Sequence, residues 1–175
     1  MCSAEASRAT FSAVATDVPA DLVLSPLGRE PRTVAEWTTM FHLVVVALDP
    51  YTYESSWILP TATRILRDYS AADCRVAFLV AADTDDATQF LGPLAEEFLV
   101  FVDPDRAAVK SFGLEQLPAL VHINQHHAVE GAAEGWDPEE WRAVVTNLSA
   151  VMSWGRPVIP APGDPTPFAG SPAFG

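Results

Sequence analysis

Thiols are nearly missing from this chain. Of 175 residues only Cys2 and Cys74 carry one. Two cysteines so far apart exclude a disulfide framework and fit a reducing compartment. Lysine is scarcer still: Lys110 stands alone, and 10 basic residues face 23 acidic ones for a net charge of −13. Nucleic acid and anionic lipid surfaces attract positive protein surface, so neither is expected as a partner. No apolar run approaches the ~18 residues of a membrane span, so no membrane insertion is expected. The opening stretch MCSAEASRATFSAVATDVPA has no basic leader and no apolar core. Cys2 also lacks the preceding apolar stretch of a lipoprotein signal. A cytoplasmic location is the expectation. There is no phosphate loop, no dinucleotide fingerprint and no Gly-x-Ser-x-Gly elbow, so no cofactor is expected and a serine hydrolase is poorly supported.

What is present is an apolar fraction of 49%, enough for the core of one domain. DLVL (21–24) reads as a short strand and SPLGREPR as a turn. TVAEWTTMF (33–41) reads as a short helix with a capping box between Thr33 and Glu36. HLVVVALDP and CRVAFLVAAD (74–83) are continuous, short and β-branched, the signature of strands buried on both faces. Between them Trp57, Ile58, Ala62, Ile65, Leu66 and Tyr69 recur at helical spacing. A helix over 85–95 is interrupted at Gly92-Pro93. A strand over 97–105 and a short helix closed by Gly113 follow. PALVHIN and AVEGAA form a hairpin around QHH. Residues 137–154 are a helix capped by Asp137, with Pro138 in its first turn and Glu139 and Glu140 at the positive dipole end.

Alternating strands and helices predict an α/β protein: a central mixed sheet with helices on both faces. The segments are an N-terminal arm (1–20), a folded domain (21–155) and a tail (156–175). The tail holds six prolines and three glycines, which reads as extended chain. Its apolar residues Val158, Ile159, Phe168 and Phe174 leave three roles open: a strap on the domain, a recognition peptide, or a disordered end.

Three stretches carry a family resemblance. LVVVALDP…SSWILP is a buried strand entering a helix with an internal proline. FVDPDRAAVKSFGLEQLPALVHIN is a strand, short helix and Gly-hydrophobic turn, with a proline opening the next strand. AVEGAAEGWDPEEWRAVV ends a hairpin and begins the last helix. Together, over roughly residues 20–152, they resemble the thioredoxin-like superfamily, its TlpA-type reductases and peroxiredoxin relatives in particular. The resemblance implies the thioredoxin-like three-layer fold and a cis Leu117-Pro118 bond.

The same resemblance implies a site at residues 51–55, and there the chain departs from the family. Counting back from Pro60, Thr52 and Ser55 occupy the two positions of the Cys-x-x-Cys motif, and Tyr51 the preceding tryptophan position. In the peroxiredoxin register Ser55 takes the place of the reactive cysteine. Thiol exchange needs a thiolate at the helix start and a second thiol to release the mixed disulfide. Hydroxyls do neither. The buried carboxylate that serves the second thiol in relatives falls on Val46. Asp49 nearby reads as a turn former, and Cys74 lies on another strand. What remains is Tyr51, Thr52, Tyr53, Glu54 and Ser55 beside Leu117 and Pro118. In relatives this corner is a groove for extended polypeptide. Here it is either a retained binding groove or a vestige.

His122, His126 and His127 cluster near the hairpin, His122 in a strand and the pair at the turn; no third or fourth converging ligand stands at a recognisable spacing, so a solvated turn is favoured over a metal. Trp141 is expected in the core, and Trp154 against the start of the tail. The expectation is a bacterial thioredoxin-fold protein without redox chemistry, binding a protein or peptide partner as an assembly factor, chaperone or complex subunit. The alternative is a divergent oxidoreductase or peroxidase.

Overall fold

The computed structural model describes residues 17–174; Cys2 and most of the expected N-terminal arm lie outside them. β3 (His42–Leu48) and β4 (Cys74–Val80) run parallel at the centre, with β5 (Leu99–Val102) parallel beside β4. The hairpin β7 (Ala119–Ile123) and β8 (Val129–Glu134) joins β3 antiparallel. On the other side β1 (Val23–Pro26) pairs β5 antiparallel and is flanked by β2 (Arg32–Thr33), giving the order β2-β1-β5-β4-β3-β7-β8. β2 straddles the end of the stretch expected to be a turn and the Thr33 expected to cap the first helix. The runs read as doubly buried strands do carry helices on both faces. Val44, Val46 and Leu48 pack against α2 (Tyr53–Asp68) and α6 (Pro138–Met152). Leu43, Val45 and Ala47 pack against α1 (Val34–Trp37) and α5 (Ala107–Ser111).

Local chemistry sets the helix ends. Thr33 Oγ1 accepts from Glu36 N at 3.3 Å and Asp137 Oδ1 from Glu139 N at 3.0 Å, as capping requires. α1 is nevertheless one turn long, where 33–41 was expected. The Gly92-Pro93 interruption separates α3 (Thr84–Leu91) from α4 (Leu94–Glu97). α2 runs through Pro60 without ending. It is held to the sheet by fully buried Ile58, Ala62, Ile65, Leu66 and Tyr69. The Tyr69 hydroxyl bonds Ser149 Oγ at 2.6 Å and so ties α2 to α6. Trp141 is core as expected, and Trp136 packs edge-on against it at 5.2 Å.

Two boundaries differ from the sequence reading. Val18 is buried, and its amide donates to His127 O at 2.7 Å, so residues 17–20 sit on the domain. The tail packs as well. Ile159 is core, and Asp164 pairs with Arg64 of α2 at 2.9 Å. Phe168 exchanges two backbone hydrogen bonds with Trp136, at 2.8 and 3.0 Å. β9 (Ser171–Pro172) then pairs antiparallel with β6 (Gln116–Leu117). Of the three roles left open for residues 156–174, the structure shows the strap. Six prolines limit the backbone donors, so the strap is held mainly by side-chain burial and isolated contacts. Trp154 lies at its start, with its indole N–H donating to Asp68 O at 2.7 Å.

Candidate functional site

The central strand β3 ends at the carboxyl end of the parallel strands, where α2 begins, and residues 51–55 singled out from sequence lie at this corner. Thr52 is the N-cap position of α2, but its hydroxyl does not cap the helix. It donates instead to Asp49 O at 3.0 Å. Ser55 is fully buried, and its Oγ accepts from Asp49 N at 2.9 Å. The two hydroxyl oxygens are 3.4 Å apart. Both are thus committed to the backbone of residue 49. Beneath them Val46 is buried in the core, so no carboxylate lies under the corner at that position. Pro118 follows a cis peptide bond from Leu117, as the resemblance implies.

Asp49 does more than form a turn. Its Oδ1 accepts from Tyr51 N at 3.0 Å, the turn bond expected of it. Its Oδ2 pairs with the Arg106 guanidinium at 2.8 Å. The other guanidinium nitrogen of Arg106 donates to Ala173 O of the strap at 2.5 Å. Arg106 therefore bridges corner and strap. The sequence reading missed it, because nothing local marks an arginine whose partners lie 57 and 67 residues away.

The outer side of the corner is aromatic. Tyr51, Tyr53 and Trp57 are 64%, 78% and 53% exposed. Tyr53 stacks on Trp57 at 6.4 Å, and Trp57 meets Phe168 of the strap edge-on at 5.7 Å. The Tyr51 hydroxyl donates to Asp86. That hydrogen bond, with some burial and the nearby carboxylates, pushes the Tyr51 pKa up to about 12. Tyr51 thus stays neutral and donating across the physiological range. An open depression of about 450 Å³ lies between Thr52, Asp49, Arg106 and the strap residues Ser171, Pro172 and Phe174.

Cys74 is remote from all this. It starts β4 opposite His42, at the other end of the parallel pair from Leu48, roughly 20 Å from the corner at ~3.3 Å per residue. Burial, reinforced by Asp73, pushes its thiol up to about 11, so it is protonated and a poor nucleophile.

At that same end the histidines divide as expected, the pair at the turn and His122 in the strand. His122 is fully buried on β7. Its Nε2 shares a 2.8 Å hydrogen bond with Nδ1 of His42. Among the described residues no group of three His, Cys, Asp or Glu is placed to hold a metal. Burial, with His42 adding and Glu130 opposing, pushes His122 down to about 4. The folded pKa lies below the ordinary 6.5, so below pH 6.5 the unfolded chain takes up a proton that the folded chain does not. Stability is full above pH 6.5 and falls as pH drops toward 4. From pH 7 to pH 5 this group removes about 2 kcal/mol, mostly above the range where ordinary carboxylates titrate. Urea unfolding at both pH values checks this: the loss should shrink by that amount in His122→Phe, and an equal loss in both proteins contradicts the assignment.

No family model matches the chain, and no curated protein does. Solved structures do. One assigned as a thiol:disulfide interchange protein DsbE from Chlorobium tepidum superposes with a TM-score of 0.65 at 19% identity, covering 79% of this chain and 97% of its own. A hypothetical protein from Sinorhizobium meliloti gives 0.63 at 14% identity, covering 91% and 93%. The bacterioferritin comigratory protein of Xanthomonas campestris, studied for alkyl peroxide reduction, gives 0.59 at 15% identity, covering 80% and 96%. The chain therefore has the thioredoxin-like fold. Among the described residues no helix is long and apolar enough to cross a membrane.

Proposed function

We propose that this protein binds polypeptide at the α2 corner without thiol chemistry, serving as an assembly factor, chaperone or subunit of a larger complex. The observation that carries the reading is the exposed, stacked aromatic pair Tyr53 and Trp57 at a corner whose hydroxyls are both tied to backbone. Aromatic rings with polar tips are the side chains that interfaces favour. Tyr53 and Trp57 stack while both are more than half exposed, and Trp57 continues onto Phe168, so the apolar surface there is contiguous rather than scattered. The engaged hydroxyls of Thr52 and Ser55, the apolar Val46 and the protonated, remote Cys74 all speak against an oxidoreductase.

Purified protein is expected to reduce insulin and consume peroxide no faster than a no-enzyme control. Turnover that persists in Cys2→Ser/Cys74→Ser protein overturns the reading. Turnover lost with Cys74 means that the chemistry resides at the other end of the sheet. The binding half is checked by native copurification from the source cells. Tyr53→Ala/Trp57→Ala should keep the melting temperature within a few degrees, since both rings are exposed, and should release the partner. A partner retained by that variant excludes the aromatic pair as the contact.

A further inference from the structure

Three tryptophans donate their indole N–H to a backbone carbonyl: Trp136 to Pro165 O, Trp141 to Gly135 O and Trp154 to Asp68 O. Trp57 is open to solvent. Trp37 is the exception. It is 4% exposed, and its buried Nε1 has no acceptor among the described residues. The arginines show a parallel contrast. Arg64 and Arg106 are half-buried, and each faces a carboxylate. Arg75 is half-buried too, yet its buried Nε has no acceptor among the described residues. The two exceptions are neighbours. The Arg75 guanidinium carbon lies 5.4 Å from the Trp37 ring centre and 5.3 Å from that of Phe41. The guanidinium carbon of exposed Arg32 lies 5.7 Å from the same Trp37 ring. Carboxylates are abundant in this chain, at 23 against 10 basic residues. Among the described residues none forms an ion pair with Arg32 or Arg75.

We infer that Arg32, Arg75 and Trp37 form a binding site for the carboxylate of a small organic acid. A guanidinium stacked on a ring spends the faces of its plane and keeps its N–H edges. Two such planes rest on one indole, so their edges are held in place before anything binds, which lowers the cost of binding. The guanidinium fork matches the two oxygens of a carboxylate. Phosphate fits the same fork, but a dianion gives up more hydration in a site walled by Trp37 and Phe41. A carboxylate also supplies what the buried donors lack, and a buried donor left without an acceptor is costly. The half-buried Phe41 ring offers the body of the acid an apolar side. Arg75 is paired with Leu43 near the start of β3, on the α1 side of the sheet and at the end away from the α2 corner. The site is therefore independent of the polypeptide-binding reading.

The test titrates the full chain with benzoate near neutral pH and follows the indole N–H resonances, with Trp37→Phe identifying that of Trp37. The Trp37 resonance should move saturably, with a Kd on the order of millimolar, while those of Trp136, Trp141 and Trp154 stay in place. Benzamide has the same shape without the charge and should leave Trp37 unmoved. Arg75→Lys keeps the charge and loses the fork, so it should bind benzoate roughly tenfold more weakly. Arg32→Gln changes an exposed side chain and should keep the melting temperature while weakening benzoate by a similar factor. A Trp37 resonance that does not move, an equal response to benzamide, or unchanged affinity in both arginine variants overturns the inference. Inorganic phosphate binding as tightly as benzoate overturns the carboxylate assignment. Tighter binding of N-acetyl-glutamate α-amide than of benzoate overturns the small acid in favour of a partner's acidic side chain. Glu5 is the single carboxylate side chain ahead of Asp17. Benzoate binding that appears only in Glu5→Gln protein means that the chain's own glutamate holds the arginines, and this also overturns the inference.

Discussion

Deleting residues 157–175 should lower the thermal midpoint by roughly 10 °C, because the proline-rich strap is part of the packed structure. Ile159 belongs to the main core, and Phe168 packs on its margin. Each apolar side chain of this size contributes about 1.5–3 kcal/mol when fully buried. Deletion also uncovers Trp136, takes away the Pro165 carbonyl that its indole N–H donates to at 2.8 Å, and removes both backbone bonds to Phe168. Arg64 loses Asp164, a pair in which the carboxylate is almost wholly buried. Against this, the chain no longer pays the entropy of ordering the strap, so a net loss of about 3–5 kcal/mol is the expectation. For a chain of this size each kcal/mol shifts the midpoint by about 2–4 °C. Calorimetry of the deleted and intact proteins decides it. An unchanged midpoint would mean that the strap contributes no stability. Ending the chain at Ala169 instead keeps Ile159, Phe168 and Asp164, so its midpoint should fall far less.

The second large effect is a gain. In Thr52→Cys/Ser55→Cys protein, mild oxidation should close a disulfide that is opened again by dithiothreitol. The present hydroxyl oxygens sit 3.4 Å apart across the first turn of α2, so the backbone already brings the two side chains together. A thiol at residue 52 stands at a helix start, where the dipole favours the thiolate. Intact-mass measurement should show the loss of two hydrogens in the double variant and in neither single one. Failure to close in a folded protein would contradict the placement of both residues. The variant should still be a poor insulin reductase, because buried Val46 supplies no group to accept the second thiol's proton.

Much of the architecture was legible because its causes are local. The runs Leu43–Leu48 and Cys74–Val80 could only be strands buried on both faces. The apolar spacing from Ile58 to Tyr69 outweighs Pro60 inside the same helix. The caps at Thr33 and Asp137 act within three residues of themselves. The absence of sulfur at positions 52 and 55 was likewise plain, since it is a fact of composition.

The rest depended on contacts that no window of sequence contains. Arg106 meets Asp49 and Ala173 across 57 and 67 residues, and His42 meets His122 across 80. Composition gave the strap's proline content, hence its lack of a helix. Where it lies was decided by the tertiary structure: a hydrophobic margin around Trp136, a cation at Arg106, and the close approach of Gly135 to Gly170 left just enough room for one more extended chain. The sequence by itself determined the central strands, the long helices and the missing thiols, because propensity and periodicity act over a few residues, whereas the two-residue strands β2, β6 and β9 carry no such signal. Only the tertiary structure decided that His122 is buried, that Arg106 joins corner to strap, and that the strap pairs with the edge just before Pro118, because those outcomes depend on which surfaces folding brings together.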